Sequence, residues 1–198
     1  MAQRALSDAP GSFILVEFSM GGYVAREMAR MAPDRVQALV LITTSARGET
    51  ALQAKRKAAT AAMVAASPAV SLSRSSIAQS LHPDRAGDEA LLERIQAMGA
   101  RLGPKVFHRQ LMLDRPADLD RLHEVRCPTL VLAGAQDRLR SLAEATELSH
   151  GIPGATLRVI EGTGHMIPME YPEHLVEDIL SWLGELAVSP GYRQRRRE

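Results

Sequence analysis

One cysteine, few aromatic rings, almost no net charge and no long apolar run are what this 198-residue chain has least of. A lone Cys127 cannot close an internal disulfide or build a cysteine-rich zinc site. Set between Arg126 and Pro128 ahead of Thr129-Leu-Val-Leu, it reads as a small residue at a strand start. The 24 basic and 23 acidic residues leave a charge of +1, too weak a field to recruit nucleic acid or an anionic membrane. No apolar stretch approaches the roughly 20 residues that cross a bilayer. The opening MAQRALSDAP lacks the apolar segment of a secretory signal, so the expected address is cytoplasmic. Aromatic residues make up 4% of the chain, and Phe107 is the only Phe, Tyr or Trp between residues 46 and 125, so a dedicated aromatic pocket is not indicated. The ending GYRQRRRE is basic, but no matching basic stripe occurs elsewhere; residues 189–198 read as a solvated, disordered tail.

What remains is a chain with 45% hydrophobic residues, ordinary for a globular protein. Phe13–Phe18 is a nearly continuous apolar run after Asp8-Ala-Pro-Gly-Ser, expected as a strand buried on both faces. Val24, Met28 and Met31 then recur at helical spacing until Pro33-Asp34, and residues 36–43 give a second buried strand. Strand, helix and strand within about thirty residues imply a right-handed crossover and a parallel sheet.

Residues 46–125 change texture. Helical patterns over 50–66 and 88–101, rich in alanine and methionine, are broken near Ser67-Pro68 and Gly103-Pro104. A parallel crossover needs only a dozen or so residues, so this excess reads as a helical cap insertion. Met63, Met98 and Met112 either fill gaps between its helices or face a substrate. The α/β core is expected from residues 1–45 and 126–188. Its third strand covers 128–133. Ser141 and Glu144 then have the spacing of a capping box, opening a helix that His150-Gly151 should close through a left-handed glycine. A fourth strand covers 155–160. Pro172 opens the last helix, with Leu175, Ile179, Trp182, Leu183 and Leu186 on one face.

A serine hydroxyl becomes an effective nucleophile only when a base takes its proton, and that base works best when a carboxylate fixes its tautomer. Strand ends of a parallel sheet converge in one crevice, so such groups need not be close in sequence. Ser19 follows the first strand, Asp137 the third and His165 the fourth. Thr43-Thr44-Ser45, after the second strand, offers no carboxylate as an alternative acid. His82, His108, His123, His150 and His174 lack comparable context and read as surface or packing residues.

Three pieces in this order, FILVEFSMGGYVAREMARMAPDRVQALVLI, CPTLVLAGAQDRL and IPGATLRVIEGTGHMIPMEYPEHLVEDILSWL, resemble the C-terminal two-thirds of an α/β-hydrolase-fold protein. The resemblance implies an α/β fold with a parallel sheet of about four strands, flanking helices and an inserted cap. It implies a serine hydrolase for a carboxylic ester or related small acyl substrate, without cofactor or metal. Ser19 would be the nucleophile, His165 the general base and then acid, and Asp137 the residue that orients it. The Met20 backbone N–H would meet the oxyanion, while Gly21 and Gly22 let the turn approach its neighbours.

Two features depart most from the family pattern, with a milder change beside them. Glu17 stands where the nucleophile turn carries a leading glycine, and either its side chain turns outward or it adds a like charge near Asp137. Phe18 replaces the histidine common beside the nucleophile. Only about a dozen residues precede the first strand, so the upstream strands and the loop giving a second oxyanion N–H are not in this sequence. One lost oxyanion donor typically costs about 10²- to 10³-fold in turnover. The uncovered sheet edge would favour pairing with a second copy of the chain. The same pattern also suits a shortened relative that binds or assembles without catalysis, or a lyase or haloperoxidase, since one fold hosts many reactions.

Overall fold

Phe13–Phe18 forms β1, Val36–Ile42 β2, Thr129–Gly134 β3 and Thr156–Ile160 β4, in a computed structural model that describes residues 1–67 and 73–188. Pro68 and the tail 189–198 lie outside the described residues. The strands stand in the order β1-β2-β3-β4 and every pairing is parallel. Helix α1 spans Ala2–Asp8, α2 Gly21–Met31 and α6 Leu142–Gly151; they share one face of the sheet. There Leu6, Ala25, Met28, Ala29 and Leu148 pack on Leu15, Leu39, Leu41 and Val131. On the other face, α7 (Ile167–Glu170) and α8 (Pro172–Val188) lay Ile167, Leu175 and Trp182 over Ala38, Val40, Leu130 and Leu132. Leu39 and Leu41 are fully buried. Each such side chain contributes about 1.5 to 3 kcal/mol, so the two helical layers hold the sheet more than strand propensity does.

Between β2 and β3 lie α3 (Ala51–Ala66), α4 (Arg74–Ser80) and α5 (Glu89–Leu111), followed by a 3-10 helix at Leu119–Glu124. Thr50 caps α3 with the reciprocal Gln53 contact of a capping box. Gly103 and Pro104 do break α5, but its axis resumes to Leu111 because proline is tolerated in the first turn of the new segment. Ile77, Leu81, Leu91, Leu92 and Ile95 form a separate apolar cluster within this segment. The segment leaves and returns at one point, where Asp118 N–H donates to Ala46 O at 2.9 Å.

Beneath that point lies a buried ionic knot. The Asp118 carboxylate accepts from Arg26 Nε and Nη2 at 2.9 and 2.7 Å, and from Arg30 Nη2 at 3.0 Å. Arg26 is wholly buried, also donates to Ser45 O, and lies 4.8 Å from the centre of the Tyr23 ring. The knot thus fastens α2 to both feet of the inserted segment.

Three sequence-level expectations change. β1 is not buried on both faces: Leu15 is covered, but Ile14 and Val16 are exposed. Among the described strands β1 is an edge, and of its residues only Phe18, at its end, packs against the cluster that α8 joins. Gly151 does not close α6 in a left-handed conformation. It lies inside the helix, where a Cβ would come within 2.5 Å of Leu122, and the left-handed residue is Gly154 at φ 70°. Met63, Met98 and Met112 are exposed, at 61%, 38% and 63%, so they neither fill the insertion core nor line the cleft described below. The Ser141–Glu144 capping box is present as expected. Among the described residues no helix is long and apolar enough to cross a membrane.

Candidate active site

Ser19 is the first residue beyond β1, and its N–H donates to Ile42 O at 2.8 Å, extending the β1–β2 ladder by one bond. The chain then turns sharply into α2, which forces Ser19 to φ 51°. A non-glycine residue pays strain there, and such strain clusters at functional sites. Gly22 has to lack a side chain, because a Cβ would lie 2.5 Å from Thr44 Oγ1. That hydroxyl instead donates to Ser19 O at 2.6 Å, bracing the turn from the end of β2.

Asp137 lies in the turn after β3, its side chain only 1% exposed. Oδ1 accepts the N–H groups of Leu139 and Arg140, at 2.7 and 2.9 Å, which fixes the plane of the carboxylate. Oδ2 is then free to face His165 Nδ1 at 2.8 Å. His165 follows β4, and its other ring nitrogen, Nε2, lies 2.9 Å from Ser19 Oγ. With Nδ1 protonated the imidazole donates to Asp137, leaving Nε2 to accept the serine hydroxyl proton. The three residues predicted from the sequence therefore stand in one hydrogen-bonded line, contributed by the ends of three strands.

The backbone of His165 is held as firmly as its ring. Its N–H donates to Ser80 O at 2.8 Å, and its carbonyl accepts Thr43 Oγ1 at 3.2 Å. Thr43, a β-branched residue at φ 43°, stores strain directly beside Thr44. Two successive threonines thus tie the backbones of Ser19 and His165 to β2. The buried Glu170 takes Gly164 N–H on one carboxylate oxygen and His82 N–H on the other, at 2.9 and 2.6 Å, pinning the histidine loop to the inserted segment. The Phe18 ring centre lies 5.2 Å from that of His165. The sequence carries no signal for these bracing roles of Thr43 and Thr44. Glu170 alone left a trace, as the acidic end of His165-Met-Ile-Pro-Met-Glu170.

Glu17 turns toward Gly21: a Cβ on that glycine would fall 2.1 Å from Glu17 Oε2. The residues two before and two after Ser19 therefore do approach closely, and the glycine on one side makes room for the acid on the other. Glu17 is half-buried, its carboxyl group forms no hydrogen bond or ion pair among the described residues, and burial pushes that carboxyl above the ordinary carboxylate range. A raised folded-state pKa means that the native state holds its proton longer than the unfolded chain, so stability falls as pH rises through that window. Glu17→Gln is expected to raise Tm at pH 7, with the gain shrinking toward zero below about pH 4. Paired melting curves across pH check this, and a constant gain at every pH would contradict it.

The Met20 N–H, next along the chain from Ser19, has no acceptor among the described residues. It stands at the N-terminal end of α2, where a helix presents partial positive charge. Over Ser19 and His165 opens a cleft of about 280 Å³ whose wall includes Tyr23, Arg47, Glu49, Gln53, Arg115 and Arg140. The Tyr23 hydroxyl donates to Arg47 O at 2.7 Å, fixing one side of it. Among the described residues no group of three or more His, Cys, Asp or Glu side chains is placed to hold a metal ion.

The chain as a whole is similar to known proteins. The chain is 32% identical, over 88% of its length and 76% of the relative's, to the pimeloyl-acyl-carrier-protein methyl ester esterase of Aromatoleum aromaticum. Its structure matches a thermophilic esterase from Thermogutta terrifontis with a TM-score of 0.76 at 30% identity, covering 92% of this chain and 67% of that one. A hydrolase from Pseudomonas aeruginosa matches with a TM-score of 0.76 at 25% identity, over 92% and 70%. The chain spans about two thirds to three quarters of these relatives. A model of the alpha/beta hydrolase family matches residues 2–179, nearly the whole described structure, and the chain belongs to that family.

Proposed function

We propose that the protein hydrolyses carboxylic esters of small molecules through an acyl-enzyme on Ser19. The observation that carries this reading is the line Asp137 Oδ2, His165 Nδ1, His165 Nε2, Ser19 Oγ, with contacts of 2.8 and 2.9 Å. His165 takes the hydroxyl proton as Ser19 Oγ attacks the ester carbon, and the carbonyl oxygen gains negative charge. The Met20 N–H donates to that oxygen, aided by the N-terminal end of α2. Collapse of the tetrahedral species breaks the bond to the alcohol oxygen, which takes its proton from His165. Water then attacks the acyl carbon, giving a proton to His165. The second collapse releases the acid and returns that proton to Ser19 Oγ. Asp137 keeps the imidazole in the useful tautomer and balances the charge it carries in between.

The test has two readings. Wild-type protein is expected to bind a fluorophosphonate covalently at Ser19 and to hydrolyse p-nitrophenyl acetate, while Ser19→Ala does neither. Absence of both reactions in folded wild-type protein would remove the hydrolase reading and leave a binding role for the fold.

A further inference from the structure

An acyl pocket is usually apolar with a few polar groups set into it. The wall above Ser19 departs from that composition: it carries three guanidinium groups, and among the described residues the one aliphatic residue lining it is Leu139. The counter-charges stand mostly behind it. Arg47 is forked onto Glu147 with contacts of 2.8 and 2.5 Å, and Glu147 does not line the cleft. Arg115 meets Glu49, which Lys57 also engages, so two cations share one carboxylate. Burial pushes the Glu49 carboxyl up, but these two hydrogen bonds outweigh it and leave it below its ordinary value.

Arg140 is the freest to receive a ligand. Its guanidinium gives one N–H to Glu144 at 3.3 Å, and that carboxylate is already committed to the Ser141 cap. The Arg140 side chain is only 19% exposed, and its backbone N–H is bound to Asp137. The guanidinium is therefore anchored beside the site acid, with donors left over on the wall of the same cleft as Ser19.

We infer that the preferred substrate is a small ester carrying a second, free carboxylate, a half-ester of a short dicarboxylic acid, with that carboxylate bound by Arg140 and Arg115. A planar guanidinium matches a carboxylate with two parallel hydrogen bonds, which an aliphatic wall cannot offer. This rests on the reading of Ser19 as nucleophile, and the test separates the two.

Monomethyl adipate and methyl hexanoate, of similar length, are compared by methanol release. The expected kcat/KM ratio favours the charged ester by about tenfold or more, mainly through KM, and contracts as salt is raised. In Arg140→Gln and Arg115→Gln the ratio moves toward one; a ratio cancels any loss common to both esters. A wild-type ratio near one, or a ratio unmoved in both variants, overturns the substrate inference, as does labelling of Ser19 by fluorophosphonate with neither ester cleaved. Failure of labelling and of all ester hydrolysis overturns the nucleophile reading and the inference with it.

Discussion

Asp137→Asn is expected to lower kcat for ester hydrolysis by about 10⁴-fold, because the substituted amide would hold His165 in the wrong tautomer. The direction of the amide is set by its surroundings. Leu139 and Arg140 both donate backbone N–H groups to the Oδ1 position and require an oxygen there. The asparagine oxygen must take that place, which turns its NH₂ toward His165 Nδ1. A donor facing Nδ1 requires an unprotonated nitrogen, so the ring proton moves to Nε2, where it faces Ser19 Oγ. The serine then has no base. The turn after β3 keeps its hydrogen bonds, so Tm should move by only a few degrees. Steady-state kinetics with p-nitrophenyl acetate beside a thermal melt provide the check; a loss of less than tenfold would remove Asp137 from the mechanism.

The largest stability effect is expected at Asp118. It is the shared acceptor of Arg26 and Arg30, whose side chains are 0% and 6% exposed. One Nη1 on each arginine already lacks a partner. Asp118→Ala would leave two cations in the interior with little but backbone oxygens and the rim carboxylates Glu27 and Glu124. Breaking a buried ion pair by removing one partner typically costs about 3 to 5 kcal/mol. For a chain of this size that corresponds to a fall in Tm of roughly 6 to 20 °C. Arg26→Met, which withdraws a buried charge at similar volume, should cost less than Asp118→Ala. Urea unfolding of the three proteins decides the order, and equal losses would mean that packing, not charge, governs the knot.

Much of this architecture is legible in the sequence because it depends on local chemistry. Apolar runs mark β2 and β3, where both faces are covered, and Ser141 announces a helix by the bond its hydroxyl makes three residues on. Ser19, Asp137 and His165, the proposed nucleophile, acid and base, stand out because each sits just past a strand. What was hidden depends on distant partners. The exposure of Ile14 and Val16 follows from where α8 crosses the sheet, which a six-residue apolar run cannot report. Thr43 reaches His165 across 122 positions, and Arg26 reaches Asp118 across 92. Glu17 was visible as an exception, but its resolution required knowing that its carboxyl lies over Gly21.

Ser19 hangs from β1, which among the described strands pairs only with β2. Among the described residues, the position of Ser19 therefore depends on the β1–β2 ladder and on its bonds to the end of β2. If β1 frays while β2 and β3 remain protected, the serine leaves its partners in a protein that still looks folded. The bonds Ser19 N–H to Ile42 O and Thr44 Oγ1 to Ser19 O act as latches on that opening. Amide exchange along β1 would report the opening of that ladder.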